Sequence, residues 1–246
     1  VILIVAASGV GKTLAGIQVT VEDAKANGGR VLFFSLEMSD EGIFFRIAIQ
    51  ESANLADDNG YVSPKHVASA LHQDPELRGR INEECERLLI VDDIENMHEA
   101  EQYIALAIEE LSNHGEDLTA VIFDYGQMLG GMEDSKIGPK IARSLKPIAK
   151  RFEIRLYMLL QTNKTFGGGR PTLNQIEGTG GWRQAADYAM ILWTHSSLNN
   201  IIHAAFDKNR WGLPGEEFAF IKNGLKLSSI DAVPEDENPL DKEGEY

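Results

Sequence analysis

The sequence predicts an α/β fold, with a mostly parallel central sheet that is flanked by helices and continued at one edge by antiparallel hairpins. Up to about residue 160, apolar runs of strand length alternate with segments of helical spacing. Such alternation is typical of a parallel sheet that is covered on both faces. After that point three strand-like runs follow one another with no helix-length segment between them, which predicts hairpins.

The composition excludes several classes of protein. The 246 residues are 43% hydrophobic, which is enough to bury a large core. The formal charge of −15, from 23 basic and 38 acidic residues, argues against a surface that binds nucleic acid as a whole and leaves room only for a local basic channel. The single Cys85 excludes an intrachain disulfide and a four-cysteine zinc site. No run reaches the roughly 18 apolar residues of a membrane span.

The first half of the chain alternates strands and helices. Ser39 or Asp40 caps the second helix, and Ser63-Pro64 and Asp74-Pro75 each combine a capping residue with a proline in the first turn, which predicts two further helix starts. The predicted strands of this half are Val1–Val5 and Val31–Ser35, and the predicted helices are Thr13–Ala26 and Asp40–Ser52.

The second half begins with the strand Leu88–Val91 and a helix of apolar residues spaced three and four apart from Ala100 to Leu111. A second helix, from Ile141 to Phe152, contains Pro147, which we expect to kink or break it. The other predicted strands are Ala120–Phe123, Ile154–Leu160, Tyr188–Trp193, Ile201–Phe206 and Glu217–Ile221.

The two ends of the chain differ in character. The opening apolar run lacks the basic start and cleavage site of a signal peptide, and we interpret it as a buried strand of an N-terminally truncated domain, residues 1–230. Residues 231–246 hold seven acidic side chains and one lysine. Such a composition predicts a disordered acidic tail.

The segment from Ala6 to Thr13, with the sequence Ala-Ala-Ser-Gly-Val-Gly-Lys-Thr, carries the strongest chemical signal. It follows a predicted strand and precedes a predicted helix, which is the context of a phosphate-binding loop. Its glycines allow backbone N–H groups to turn towards a phosphate, Lys12 reaches the β- and γ-phosphates, and the Thr13 hydroxyl can ligate Mg²⁺. The predicted nucleotide contacts are Ser8, Gly9, Val10, Gly11, Lys12, Thr13 and Leu14.

Two carboxylates follow predicted strands. Asp124 ends an apolar strand, where it would hold Mg²⁺ beside the phosphate loop. Glu37 follows the strand Val31–Ser35, which can neighbour the strand that carries the loop, so Glu37 would polarise the attacking water. On the residue chemistry alone, a helix-capping role for Glu37 is equally good.

Several motifs, in the same order along residues 1–227, resemble those of DnaB-type replicative helicases, which belong to the RecA-like ATPases. The Asp-Tyr-Leu-Gln motif of that family has Gly126 in place of leucine here, and its Lys-x-Arg-Asn-Gly motif has Trp211 in place of asparagine. The resembling segments are Ser35–Ser39 with Arg46, Phe123–Gln127, Ile141–Lys146, Leu160–Asn163, Arg170–Leu173 with Gln184 and Asp187, and Asp207–Gly212.

The resemblance implies a RecA-like motor domain that hydrolyses ATP with Mg²⁺. Glu37 would be the catalytic base, Gln161 a sensor of the γ-phosphate, and Lys208 and Arg210 would reach the ATP of a neighbouring subunit, with Arg210 as the arginine finger. The implied partners are single-stranded DNA, further copies in a hexameric ring that moves 5′ to 3′, and a primase or helicase loader. The departures from the motifs favour a phage-encoded protein of the bacterial cytoplasm.

Two segments correspond to the DNA-contacting loops of the family. Leu129–Gly138 contains a single base, Lys136, and Lys164–Gly181 contains Lys164 and Arg170. The glycine N–H groups and the threonine hydroxyl of a short polar stretch could also bind phosphate. That stretch is Gly178, Thr179 and Gly180.

Two other functions fit the sequence less well. A recombination or repair ATPase of the same superfamily would share the phosphate loop, although the Ser35–Ser39 motif and the Lys208/Arg210 pair argue against it. A non-motor, ATP-gated loader or scaffold would explain the weakly basic loops.

Overall fold

The computed structural model describes residues 1–55, 62–126, 129, 137–162, 170–176, 181–194, 201–215, 217–223 and 226–230. The predicted acidic tail, 231–246, lies outside them. The strands are β1 Ile2–Ala6, β2 Arg30–Ser35, β3 Leu88–Val91, β4 Leu118–Asp124, β5 Arg155–Gln161, β6 Tyr188–Trp193, β7 Ile201–Asn209, β8 Glu217–Asn223 and β9 Lys226–Ile230. The helices are α1 Lys12–Asn27, α2 Asp40–Glu51, α3 Pro64–Gln73, α4 Pro75–Glu86, α5 Met97–Asn113, α6 Ile137–Arg151 and α7 Trp182–Ala185.

One sheet contains all of these strands, in the order β3-β2-β4-β5-β1-β6-β7-β8-β9. The strands from β3 to β6 are parallel, and β7, β8 and β9 continue the sheet in antiparallel register. The predicted fold class is therefore confirmed. The last strand, β9, was not predicted from the sequence, because Lys226–Ile230 contains only two large apolar residues.

The core lies on both faces of the sheet. On one face α1 and α2 pack against β1, β2 and β4, and on the other face α5 and α6 pack against the same strands. Alternate residues of a strand point to opposite faces, so a strand covered on both sides must be apolar throughout. In β1, Leu3, Ile4, Val5 and Ala6 are all completely buried.

Two expectations about individual elements were wrong. First, β2 does not neighbour β1, because β4 and β5 lie between them. Second, Pro147 does not break its helix: α6 continues to Arg151. Pro147 and Arg143, whose carbonyl loses a helical partner, are both exposed, so water can satisfy that carbonyl.

The caps predicted for the N-terminal half are largely present. The Ser39 hydroxyl accepts a hydrogen bond from the Gly42 N–H and begins α2, and the Asp74 carboxylate accepts from the Glu76 and Leu77 N–H groups at the start of α4. In α3, Pro64 occupies the first turn, while Ser63 makes no side-chain capping bond. No helix in the described part of the chain has the length and apolarity to cross a bilayer.

Gly126, where the resembling motif has leucine, faces a filled space. A Cβ atom added at Gly126 would overlap Sδ of Met158, a completely buried residue of β5. The sulfur therefore occupies the volume that a side chain at position 126 would need.

We expect Gly126→Ala to lower the free energy of unfolding by about 1–3 kcal/mol, because the new methyl group overpacks a closed core. Met158→Ala alone leaves a cavity and costs about 2–5 kcal/mol. The double variant should lose less than the sum of the two, since each change relieves the other. Denaturant unfolding of the four proteins measures this coupling. Gly79→Ala, at a helical position with nothing within 4 Å, is the control and should not destabilise; additive losses would contradict the packing.

A candidate nucleotide site and a separate cationic edge

The loop after β1 has the backbone of an anion-binding turn. Gly9 and Gly11 have φ values of 82° and 116°, which non-glycine residues rarely adopt. A Cβ at Gly11 would also lie 3.1 Å from the Ile202 side chain, which would have to shift slightly to make room for it. Gly11 caps α1 without a side-chain hydrogen bond. The first-turn N–H groups of α1 therefore remain available to a phosphate.

Lys12 is a buried cation at the start of α1. Its side chain is largely inaccessible, and Nζ lies 4.3 Å from the centroid of the Tyr125 ring. Burial lowers the pKa of Lys12, while the negative charges of Asp124 and Glu37 act in the opposite direction. Both carboxylates are thus close enough to influence the ammonium. The sequence placed Tyr125 in the segment that resembles the Asp-Tyr-Leu-Gln motif but gave it no role.

Asp124 is a buried anion at the end of β4. Burial raises its pKa, and the neighbouring Thr13 hydroxyl and Lys12 ammonium partly offset that effect. Thr13 is close, yet no hydrogen bond of good geometry reaches either carboxylate oxygen. The backbone is better satisfied, because the Asp124 carbonyl accepts a 2.7 Å hydrogen bond from the Leu36 N–H. A buried carboxylate without donors is costly, which indicates that its partner is a ligand.

The residues around Asp124 fit a magnesium ion. Mg²⁺ in phosphate-transfer sites is held by one or two protein oxygens together with phosphates and water. The Asp124 carboxylate and the Thr13 hydroxyl supply such oxygens. Within the described ranges, no group of three or more His, Cys, Asp or Glu residues could hold a metal ion.

Glu37 and Gln161 reach the same edge of the sheet from different strands. Glu37 is exposed and follows β2, in a turn that is closed by a 2.6 Å hydrogen bond from the Ser35 hydroxyl to the Met38 carbonyl. Gln161 ends β5 and lies level with Ala6, the last residue before the phosphate loop. The structure therefore brings Lys12, Thr13, Asp124, Glu37 and Gln161 to one edge, even though β2 is three strands away from β1.

Lys208 and Arg210 lie at the opposite edge of the sheet, where the parallel strands begin. Lys208 pairs in register with Ala189, which is level with Leu3 near the start of β1. The distance from there to the end of β1 is about 10 Å at roughly 3.3 Å per residue. Arg210 lies beyond Lys208, where its N–H donates to the Asp187 carbonyl. The structure does not bring either cation to the phosphate loop of its own chain.

Asp187 organises this second edge. Its carboxylate lies 2.9 Å from the Arg210 guanidinium and 3.1 Å from the Lys146 ammonium. Lys208 donates hydrogen bonds of 2.6 and 2.7 Å to the Arg183 and Ala186 carbonyls. Burial and the positive charges of Lys146 and Arg210 lower the pKa of Lys208. The sequence suggested Asp187 as a motif residue but not as the centre of a cationic cluster.

The predicted DNA contacts are mostly outside the described residues. Arg170 is the one predicted DNA contact that falls within the described residues. Its guanidinium forms a 2.5 Å salt bridge with Glu217 and lies 5.8 Å from the Trp193 ring centroid. Its contact with DNA stays a prediction. The other predicted DNA contacts, Lys136, Lys164, Gly178, Thr179 and Gly180, lie outside the described part of the chain.

Comparison with known proteins matches the sequence to one family over almost its full length. The family described as "DnaB-like helicase C terminal domain" matches residues 1–224. A replicative DNA helicase DnaB of Geobacillus stearothermophilus is 25% identical over 249 residues, covering 94% of this chain and 52% of the relative. A probable replicative DNA helicase of Trieres chinensis is 26% identical and covers 81% of this chain and 44% of the relative. The chain spans about half the length of these curated relatives.

Solved structures confirm the fold. One of them, an isolated ATPase domain, superposes with a TM-score of 0.73 at 21% identity, covering 94% of this chain and 84% of that one. Another, a DnaB-like replicative helicase described together with its interactions with primase, gives a TM-score of 0.74 at 22% identity, covering 94% of this chain and 57% of that one. Both therefore share the fold of this chain.

The raised pKa of Asp124 predicts how magnesium binding depends on pH. Protonated Asp124 cannot ligate Mg²⁺, so the magnesium-dependent part of nucleotide affinity should fall, as pH is lowered, at a higher pH than an ordinary aspartate would give. Titration calorimetry of Mg²⁺ and ADP against pH measures this loss. Asp124→Asn is the control that removes the carboxylate's contribution while keeping that of the nucleotide phosphates. Identical pH profiles for the two proteins would exclude Asp124 as a ligand.

Proposed function

This chain belongs to the family of DnaB-like helicase C-terminal domains, and we propose that it is the ATP-hydrolysing motor of a replicative DNA helicase. The observation that carries the proposal is the separation of the chemical groups between two edges of the sheet. One edge holds the phosphate loop with Asp124, Glu37 and Gln161, and the other holds Lys208 and Arg210. In an isolated chain, therefore, the nucleotide pocket lacks these two cations, and the two cations have no nucleotide pocket beside them.

At the first edge, the chain's own residues would bind and position the nucleotide. The first-turn N–H groups of α1 and Lys12 would hold the β- and γ-phosphates, with Ser8, Gly9, Val10, Gly11 and Leu14 forming the surrounding loop and first turn. Thr13 and Asp124 would hold Mg²⁺, which supplies charge stabilisation to the phosphoryl group when bound. Glu37 would accept the proton of the attacking water, and Gln161 would sense the γ-phosphate from β5.

At the second edge, Lys208 and Arg210 would serve the nucleotide of a neighbouring copy. Phosphoryl transfer accumulates charge on the γ-phosphoryl oxygens, and a guanidinium supplied by another subunit stabilises that charge. Hydrolysis would then depend on assembly. A hexameric ring, in which every subunit is both donor and acceptor, satisfies this requirement and matches the family's implied arrangement.

The partners follow from the family. We propose that the ring moves 5′ to 3′ on single-stranded DNA, which the segments around Lys136, Lys164, Arg170 and Gly178–Gly180 would contact. One related structure is described with its interactions with primase, which supports a primase as partner, and a helicase loader is a second candidate. The site of action would be the bacterial cytoplasm, with a phage-encoded origin. The match to a helicase family favours this function over a recombination ATPase or a non-motor scaffold.

We expect Glu37→Gln to bind ATP as the unchanged protein does but to hydrolyse it about a hundredfold or more slowly, because the amide cannot accept the proton of water. Nucleotide binding and phosphate release in the assembled protein measure the two effects separately. Glu109→Gln, at an exposed position of α5, is the control and should hydrolyse normally. Unchanged hydrolysis in Glu37→Gln would exclude Glu37 as the base.

Arg210→Ala should lower hydrolysis by about 10³-fold without weakening nucleotide binding, because the missing charge acts on the transition state. Lys12→Ala should also be inactive, because it removes the phosphate-binding lysine from the pocket of its own chain. A mixture of the two inactive variants should regain activity, since some interfaces then pair an intact pocket with an intact Arg210. Arg78→Ala, which removes an exposed cation of α4, is the control. A mixture that stays inactive would contradict action between subunits.

A further inference from the structure

The turn between β7 and β8 exposes two large apolar side chains beside the cationic edge. Trp211 is 76% exposed and Leu213 is 86% exposed, more than any other large apolar residue in the described ranges. They follow Arg210 directly in the chain. Single exposed apolar residues are common on protein surfaces, but tryptophan and arginine are among the residues most enriched in binding hot spots. We call Trp211 and Leu213 the turn anchor.

A second apolar patch lies beside the nucleotide pocket. Phe44 and Phe45 of α2 are 42% and 40% exposed. They precede Arg46, whose Nε lies 3.0 Å from the Met38 sulfur, in the turn that carries Glu37. This pair, the α2 patch, is thus located at the edge where a neighbour's Arg210 would have to arrive.

The charges around the two apolar features have opposite signs. Near the α2 patch the exposed groups are carboxylates, and the Asp40 backbone N–H donates a 3.4 Å hydrogen bond to the Asp92 carboxylate. Near the turn anchor, the cations Arg210, Lys208, Lys146, Arg183 and Arg170 outnumber the carboxylates of Asp187, Asp207 and Glu217 among the described residues. The exposed acidic residues of the first edge are Glu37, Asp40, Glu41, Asp92 and Asp93. Opposite charges of this kind steer two surfaces together and fix their orientation.

We propose that the turn anchor of one copy of this chain docks on the α2 patch of the next copy and so places Arg210 at that copy's nucleotide. The contact joins two different surfaces, so it is heterologous and repeats from copy to copy, as a ring requires. The inference deepens the proposed function, because it rests on Arg210 acting between subunits. It adds the residues that hold the two copies in register.

Cross-linking between copies tests this contact directly. In a Cys85→Ser background, one protein carries Pro214→Cys, next to the turn anchor, and another carries Glu41→Cys, one helical turn before the α2 patch. The two are mixed with a non-hydrolysable ATP analogue and a short bismaleimide cross-linker. The matched control pairs Pro214→Cys with Leu106→Cys, an exposed residue of α5.

We expect the Pro214→Cys and Glu41→Cys pair to link at least about tenfold faster than the control pair, and Trp211→Ala with Leu213→Ala to remove about tenfold of that rate. Arg210→Ala should lower the rate much less than the two alanines do, because it removes one of several cations and leaves the anchor. Equal rates for both pairs, or no effect of the two alanines, would overturn the proposal. Nucleotide binding by each variant checks that it is folded.

Tryptophan fluorescence gives a second readout. Trp182 and Trp193 are buried at 1% and 5% exposure, so a change of environment on association is reported by Trp211. We expect a concentration-dependent blue shift that Trp211→Phe abolishes and that replacing both Phe44 and Phe45 by serine weakens. A fluorescence shift that requires single-stranded DNA and is unchanged by the serine substitutions would assign Trp211 to base stacking. That result would overturn the proposed docking.

The outcomes separate this inference from the proposed function. Specific cross-linking without recovery of activity in the mixture of Lys12→Ala and Arg210→Ala would support the anchor and refute catalysis between subunits. Recovery of activity without specific cross-linking would refute the anchor alone.

Discussion

The nucleotide site depends on a buried lysine and a buried aspartate that lie close enough at one edge of the sheet for each charge to act on the other. Lys12 and Asp124 are both nearly inaccessible to water. Burial lowers the pKa of Lys12 and raises the pKa of Asp124, which favours the neutral form of each side chain. The protein keeps them at the ends of two apolar elements, where no other donor satisfies the carboxylate. Such a pair is a poor source of stability. Its arrangement is understandable as a site that a phosphate and a magnesium ion complete.

The parallel sheet explains how distant segments contribute to this pair. The carboxyl ends of parallel strands lie along one edge, so each strand delivers the residue that follows it to the same place. Glu37, Asp124 and Gln161 come from β2, β4 and β5 and converge beside the loop after β1. The antiparallel strands deliver their residues differently. Because β7 runs opposite to β6, its last residues arrive at the other edge, and Lys208 and Arg210 are carried away from the chain's own phosphate loop. The change of direction after β6 therefore creates a second functional surface.

The sequence was sufficient where function follows from local backbone and apolar pattern. The spacing of Gly9, Gly11, Lys12 and Thr13 after a buried strand predicted the phosphate loop, and the positive φ values of both glycines agree with it. The apolar runs predicted nearly all strands, because a strand covered on both faces has to be apolar along its whole length. The sequence failed for β9, whose side chains are mostly polar. Its place is fixed instead by pairing with β8 and by two hydrogen bonds between the Gln18 side chain and the Leu227 backbone.

What the sequence determined by itself was the inventory: a nucleotide loop, two carboxylates after strands, and a lysine–arginine pair in a hairpin. Only the tertiary structure decided how these groups are distributed, because strand order is set by long-range packing that periodicity does not encode. It separated β2 from β1 while keeping Glu37 within reach of Lys12, and it placed Met158 where Gly126 lacks a side chain. It also gathered Lys146, Asp187 and Arg210 from three distant segments into one cluster. Contacts of this kind join residues far apart in the chain, and their geometry exists only once the sheet has formed.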